Sequence, residues 1–182
     1  MSSSLIRWGG VAGMLAGLLF AVSGLLRLAS QETLLPEALF AFAFVPMLAG
    51  LAGFHALQRD DYGAIGRAGF YTIIAATVIR VLGAAALLSG SSALGWLAAS
   101  QGIYEVVSLI IMAGFVLYGA ATLRARVLPR WCGIGLIIGL PVTIPLGHVW
   151  GAMLFGLFWL ALGYVLWSRR GEAAPRSEAL AS

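Results

Sequence analysis

The chain has 182 residues, 61% of them hydrophobic and 10% charged, with a mean hydropathy of +0.98. Soluble globular domains carry about 25% charged residues, so composition excludes that class and points to a polytopic membrane protein. All eleven basic residues are arginine; the resulting net charge of +4 implies contact with anionic lipid head groups, not with nucleic acid.

The apolar runs predict an all-α transmembrane helical bundle of six spans, at about 9–28, 37–57, 68–89, 101–122, 132–147 and 149–168. Each approaches the roughly twenty residues that a helix needs to cross about 30 Å of hydrocarbon. Unpaired backbone groups are too costly in lipid for anything but continuous helices in such runs. Span 1 follows Arg7 and has a signal-peptide-like start, but Arg27 occupies the approach to any cleavage site near Ala29, where small residues are required. It is read as retained. Its Gly9, Gly13, Gly17, Ala21 and Gly24 form a small-residue stripe along which another helix can approach closely. Packing within the chain is one use of that stripe; self-association, or a membrane protein partner docked through span 1, is the other.

Between spans 2 and 3, Asp60 or Asp61 is placed to cap the helix that follows, where an acid favours exposed N–H groups. A metal site from His55 with these two aspartates lacks a fourth ligand and is not assigned. Span 3 carries Arg80 near the membrane centre, where insertion costs roughly 2.5–3.5 kcal/mol or more. Its helical neighbours Ala76, Thr77, Gly83 and Ala84 are small or polar, which marks a face turned toward other helices.

On span 4, Gln101, Glu105 and Ser108 make a polar stripe at helical spacing, with Tyr104 beside it. Spans 3 and 4 form an antiparallel hairpin, joined around Ser91–Ser100, in which Arg80 and Glu105 differ in depth by roughly 7–8 Å at 1.5 Å per residue. Arginine can snorkel through much of that distance. Two readings of the pair stand: a structural ion pair that fixes helix register, or part of a wet cavity in the outer half. Arg27, Glu32, Glu37 and His148 would surround the mouth of such a cavity, and Pro141 and Pro145 would kink span 5 on the same side.

After span 4 the chain reads Arg124-Ala-Arg126-Val-Leu128-Pro129-Arg130-Trp131, then a glycine-rich apolar helix. Pro129 suits a helix's first turn, Arg130 faces head groups, and Trp131 anchors the interface. With Leu117-Tyr118 ahead of it, this joint resembles that of a bacterial family of small multi-spanning membrane proteins, a domain of unknown function. There a helix ending in Leu-Tyr is followed by an arginine-bearing turn and Leu-Pro-Arg-Trp. The resemblance covers about 117–140. It implies a similar fold, a bacterial inner-membrane location and no established activity, and it carries over no catalytic or binding residue.

The stretch 132–168 is too long for one crossing and just long enough for a tight helical hairpin, with a re-entrant loop plus one crossing as the alternative. The tail 169–182 is polar, rich in small residues and expected to be disordered on the cytoplasmic side. With the N-terminus placed in the cytoplasm, nine arginines fall on that side and only Arg27 on the other, with Arg80 inside a span. This positive-inside bias puts both termini in the cytoplasm and requires an even number of spans. Trp8, Trp131 and Trp167 at the inner interface, and Trp96 and Trp150 at the outer one, agree.

The absence of lysine removes a Schiff base and a Walker P-loop. The single Cys132 removes dithiol chemistry and an internal disulfide framework. His55 and His148 lie toward opposite faces and cannot share one haem, and Glu105 is the lone acid within a span. Neither a metal nor a cofactor is expected, and an enzyme is disfavoured. The leading expectation is a non-catalytic membrane protein that works by helix packing, as an accessory subunit or small homo-oligomer. The alternative is a small-molecule binding or transport component, its ligand anionic, with an outer-half pocket around Arg80, Glu105, Gln101, Tyr104, Ser108, Thr77 and His148. Its size and span count resemble the substrate-binding membrane subunits of vitamin uptake systems, a likeness of architecture only.

Overall fold

A computed structural model describes residues 3–29, 34–89 and 101–168. It is all-helical: α1 (Ser3–Ala29), α2 (Leu34–Gln58), α3 (Gly63–Leu88), α4 (Gln101–Ala125), α5 (Arg130–Ile138) and α6 (Thr143–Ser168). Five of these are long and apolar enough to cross a membrane. The nine-residue α5 is not; at 1.5 Å per residue it rises only about 14 Å. Glu32, the loop bearing Trp96 and the tail 169–182 lie outside the described residues.

Two groups of three helices make the bundle. In one, α1 packs between α2 and α6; in the other, α4 packs between α3 and α5. The first group is closed by the stripe on α1. A Cβ on Gly9 would lie 2.7 Å from the Cα of Gly53 on α2, and one on Gly10 the same distance from the backbone nitrogen of Trp167 on α6. Toward the other end, a Cβ on Gly156 of α6 would meet the nitrogen of Ala21 at 2.5 Å and the carbonyl of Gly17 at 2.6 Å. Backbones approach this closely only where side chains are missing, and in lipid such contact is a main source of association energy. The stripe therefore serves the chain's own α2 and α6, and the face α1 leaves uncovered is the leucine face of Leu15, Leu18 and Leu25.

Within the first group Phe20 packs edge to face on Phe44 and on Phe155, each with centroids 5.1 Å away, a geometry that suits the ring quadrupoles. Aromatic side chains also join this group to the second. Phe115 of α4 reaches Trp159 at 6.3 Å. Trp159 is fully buried, while Trp8, Trp131 and Trp150 are exposed.

The stretch after α4 departs from an unbroken helix over 132–147. Helix α5 stops at Ile138, residues 139–142 form turns, and helix resumes at Thr143. Pro141 accounts for the stop: it has no N–H to donate and disfavours helical backbone at Leu140 before it. A second interruption falls at Gly147, whose φ of 69° and ψ of 179° only glycine adopts readily. Across it, a Cβ on Gly151 would lie 2.8 Å from the carbonyl of Thr143. Eight residues of straight helix would hold those positions about 12 Å apart, so the chain doubles back at Gly147, where the spacing placed the boundary. Phe158 packs on Gly135 and Gly139 farther along the same hairpin.

In the α2–α3 connection, Asp60 lies against Arg59 at 3.5 Å. His55 stacks on Phe70 with centroids 4.0 Å apart and is hydrogen-bonded to the Tyr62 hydroxyl. That imidazole is thus held within an aromatic cluster. Among the described residues no group of three or more His, Cys, Asp or Glu could hold a metal ion.

Candidate functional site

Arg80 lies eight residues before the end of α3, about 12 Å of rise into the bundle. Its guanidinium is held on two sides. Nη1 donates to the Ser108 hydroxyl on α4 at 2.9 Å, a charge-assisted bond. Its Cζ sits 5.0 Å from the centroid of Phe44 and 5.8 Å from that of Phe40 on α2. Rings at this range attract a cation through their quadrupole, more strongly where water is displaced. Helix α2 can present both rings because positions four apart share one helical face.

Phe40 is shared with a second arginine. Arg27, at the end of α1, stands 5.5 Å from the same ring and is paired with Glu37 at 2.8 Å. The Arg27 side chain is only 15% exposed. Two guanidiniums therefore lie 5.5 and 5.8 Å from one aromatic ring at one end of the bundle, with the carboxylates of Glu37 and Glu105 in the same region.

Beside Arg80 a cavity of about 520 Å³ opens between the two helix groups. Its polar lining is Arg80, Glu105, Ser108, Thr143 and His148; its apolar walls include Phe40, Phe44, Leu109, Met112, Ile144 and Phe155. The volume and this mixture of many apolar and few polar groups are those of a small-molecule site. A smaller cavity of about 290 Å³ lies against the other flank of Arg80 and shares Phe40 and Phe44 with the first.

Of the residues predicted for such a pocket, Arg80, Glu105, Ser108 and His148 come together in the larger cavity. The guanidinium reaches α4 at Ser108, one turn from Glu105, which lines the same space. Thr77 does not join them: it is fully buried, its hydroxyl has no hydrogen-bond partner among the described residues, and it is not part of either cavity lining. It lies three residues before Arg80, on the side of α3 packed into the bundle. The side chains of Gln101 and Tyr104 lie outside what the structure describes.

Phe40 and Phe44 went unnoticed in the sequence because aromatic residues four apart are common on any core-facing helix. The signal that could have found them is their place opposite a membrane-embedded arginine, which needs ring faces or hydrogen-bond acceptors nearby. Thr143 was equally silent, since its position depends on the fold-back at Gly147.

The arrangement can bind and orient a polar group beside a fixed cation, while apolar walls enclose the remainder of the ligand. No family model matches the chain, and neither a curated protein nor a solved structure matches it.

Proposed function

We propose that this chain is a six-span protein of the bacterial inner membrane, with both termini cytoplasmic, that binds a small acidic molecule in the cavity beside Arg80 as a binding or transport component. The orientation rests on the arginine distribution: an odd number of crossings would put Arg169, Arg170 and Arg176 on the outer side, against the positive-inside bias. The fifth crossing would be made by 130–146 together: α5, the turns at 139–142 and the short helical run that ends at Gly147.

The observation that carries the binding reading is the cavity of about 520 Å³ with Arg80 in its wall. A half-buried arginine within a helix bundle needs partners, and Ser108, Phe40 and Phe44 are among those it has, with the side chain at the cavity surface. Arginine's planar set of donors suits a carboxylate or phosphate. An accessory-subunit role is the second reading. It would rest on the leucine face of α1, because the glycine stripe is in contact with α2 and α6.

The test is thermal unfolding of the detergent-purified protein with a panel of small organic acids and matched amines. Acids are expected to raise the midpoint, and Arg80→Gln to abolish that rise while the protein remains folded. A response to amines alone, or acid protection that survives Arg80→Gln, would refute the reading. Protease accessibility of tags at the two ends in intact cells tests the orientation, and cleavage of either tag from outside overturns it.

A further inference from the structure

Both cavities are mostly apolar and share Arg80, Phe40 and Phe44 in their walls, but they differ in the polar side chains that line them. The larger contains Glu105, Ser108, Thr143 and His148. The smaller, apart from Arg80 and Glu37 at its edge, is lined by apolar groups, among them Ile79, Val81, Ala84, Leu88 and Val107. Ile79 and Leu88 are themselves exposed on the outside of the bundle, so the smaller chamber communicates with the apolar surface that lipid would cover. Arg80 thus stands where a cavity with several polar side chains meets one with few, which matches a molecule with a polar end and an apolar chain.

We propose that the ligand is a single-chain acidic amphiphile, its acid group beside Arg80 and the larger chamber, its alkyl chain in the apolar chamber formed by α2, α3 and α4. This rests on the acidic-ligand reading above and adds the chain and its location. The apolar chamber of about 290 Å³ would accept on the order of ten groups the size of a water molecule, which corresponds to an alkyl chain of about eight to ten carbons. A chain leaving bilayer lipid for this chamber gains little from the hydrophobic effect, because both surroundings are apolar. Discrimination therefore comes from fit, and the expected signature is an optimum in chain length.

The experiment uses the full chain in phosphatidylcholine nanodiscs and follows its thermal unfolding with butyrate, hexanoate, decanoate, hexadecanoate, decanol and decylamine. Protection is expected to peak at decanoate, to fall at least severalfold at hexadecanoate, and to be absent with decanol and decylamine. Ala84→Phe, which fills the apolar chamber, is expected to move the optimum to shorter acids; Val107→Phe approaches it from α4 should the first variant fail to fold. Equal protection by all the acids would overturn the two-chamber proposal and leave the small-acid reading standing. Protection by none would sink both. If phosphatidylglycerol added to the nanodiscs displaces decanoate, the site belongs to the membrane's own anionic lipid and the proposal fails.

Discussion

Arg80 can remain inside a helix bundle only if its contacts offset the cost of placing it there, and that balance can be measured. An arginine at the centre of a membrane helix costs roughly 2.5–3.5 kcal/mol. Against this stand two ring contacts, at 5.0 and 5.8 Å, of about 0.5–2 kcal/mol each. The bond from Nη1 to Ser108 at 2.9 Å adds about 1.5–3 kcal/mol, as for a charged donor. These contacts together amount to about 2.5–7 kcal/mol and match or exceed the cost, so Arg80→Met should destabilise the chain by between zero and about 4 kcal/mol. Ser108→Ala is expected to cost about 1.5–3 kcal/mol in the natural chain, because it removes a charge-assisted bond from a half-buried guanidinium. In the Arg80→Met background the same change should cost under about 0.5 kcal/mol, giving a coupling of at least about 1 kcal/mol. Unfolding by dodecyl sulfate in mixed micelles, run on the four proteins of the cycle, measures it. Additivity within about 0.5 kcal/mol would refute the claim that Ser108 holds the guanidinium.

The close contact of α1 with α6 makes a second prediction. A side chain at Gly156 would meet only backbone, with the nitrogen of Ala21 2.5 Å from its Cβ, so Gly156→Leu must separate the helices. It is expected to cost about 1–3 kcal/mol and to lower the melting temperature by roughly 2–10 °C for a chain of this size. Gly102→Leu, where nothing lies within 4 Å of the added carbon, is the matched control, and equal losses in the two variants would contradict the packing. A third concerns Tyr62, in the connection between α2 and α3. Burial, with Tyr71 adding to it, pushes its phenol up to about 12 from an ordinary value of 10.0. The folded chain thus keeps a proton that the unfolded chain loses from about pH 10, and stability falls as pH rises from there to about 12. Tyr62→Phe should flatten that fall in melting temperatures measured between pH 9 and 12; an unchanged slope would show that other groups cause it.

The parts of this protein legible in its sequence are those that depend on short-range rules. Helix positions follow from run length, and the glycine stripe on α1 follows from a four-residue interval that any close-packed membrane helix shows. Arg80, Glu105 and Ser108 could be grouped because a hairpin fixes which depths on α3 and α4 face one another. What could not be read depends on which helix lies beside which. The placement of α1 between α2 and α6 leaves no trace in the spacing of any one helix. Without it, neither the role of Phe40 between Arg27 and Arg80 nor the burial of Thr77 away from the pocket can be inferred.

The interrupted stretch between α4 and α6 gives the cavity its physical origin. Helix α5 covers the C-terminal half of α4, where a Cβ on Gly119 would lie 2.7 Å from the carbonyl of Gly133. Had it continued straight past Ile138, its side chains would have covered the half of α4 from Glu105 to Met112 as well. Instead Pro141 ends the helix, the chain turns over 139–142, and Gly147 folds it back against Gly151. Leu140, Thr143 and Ile144 are thereby left as one wall of the cavity, with the N-terminal half of α4 as another. A helix break inside a membrane is tolerated where it is buried in protein or lines a polar space, and here it borders the cavity that contains Arg80. The same two residues that spoil a fifth continuous helix are therefore what open the cavity beside Arg80.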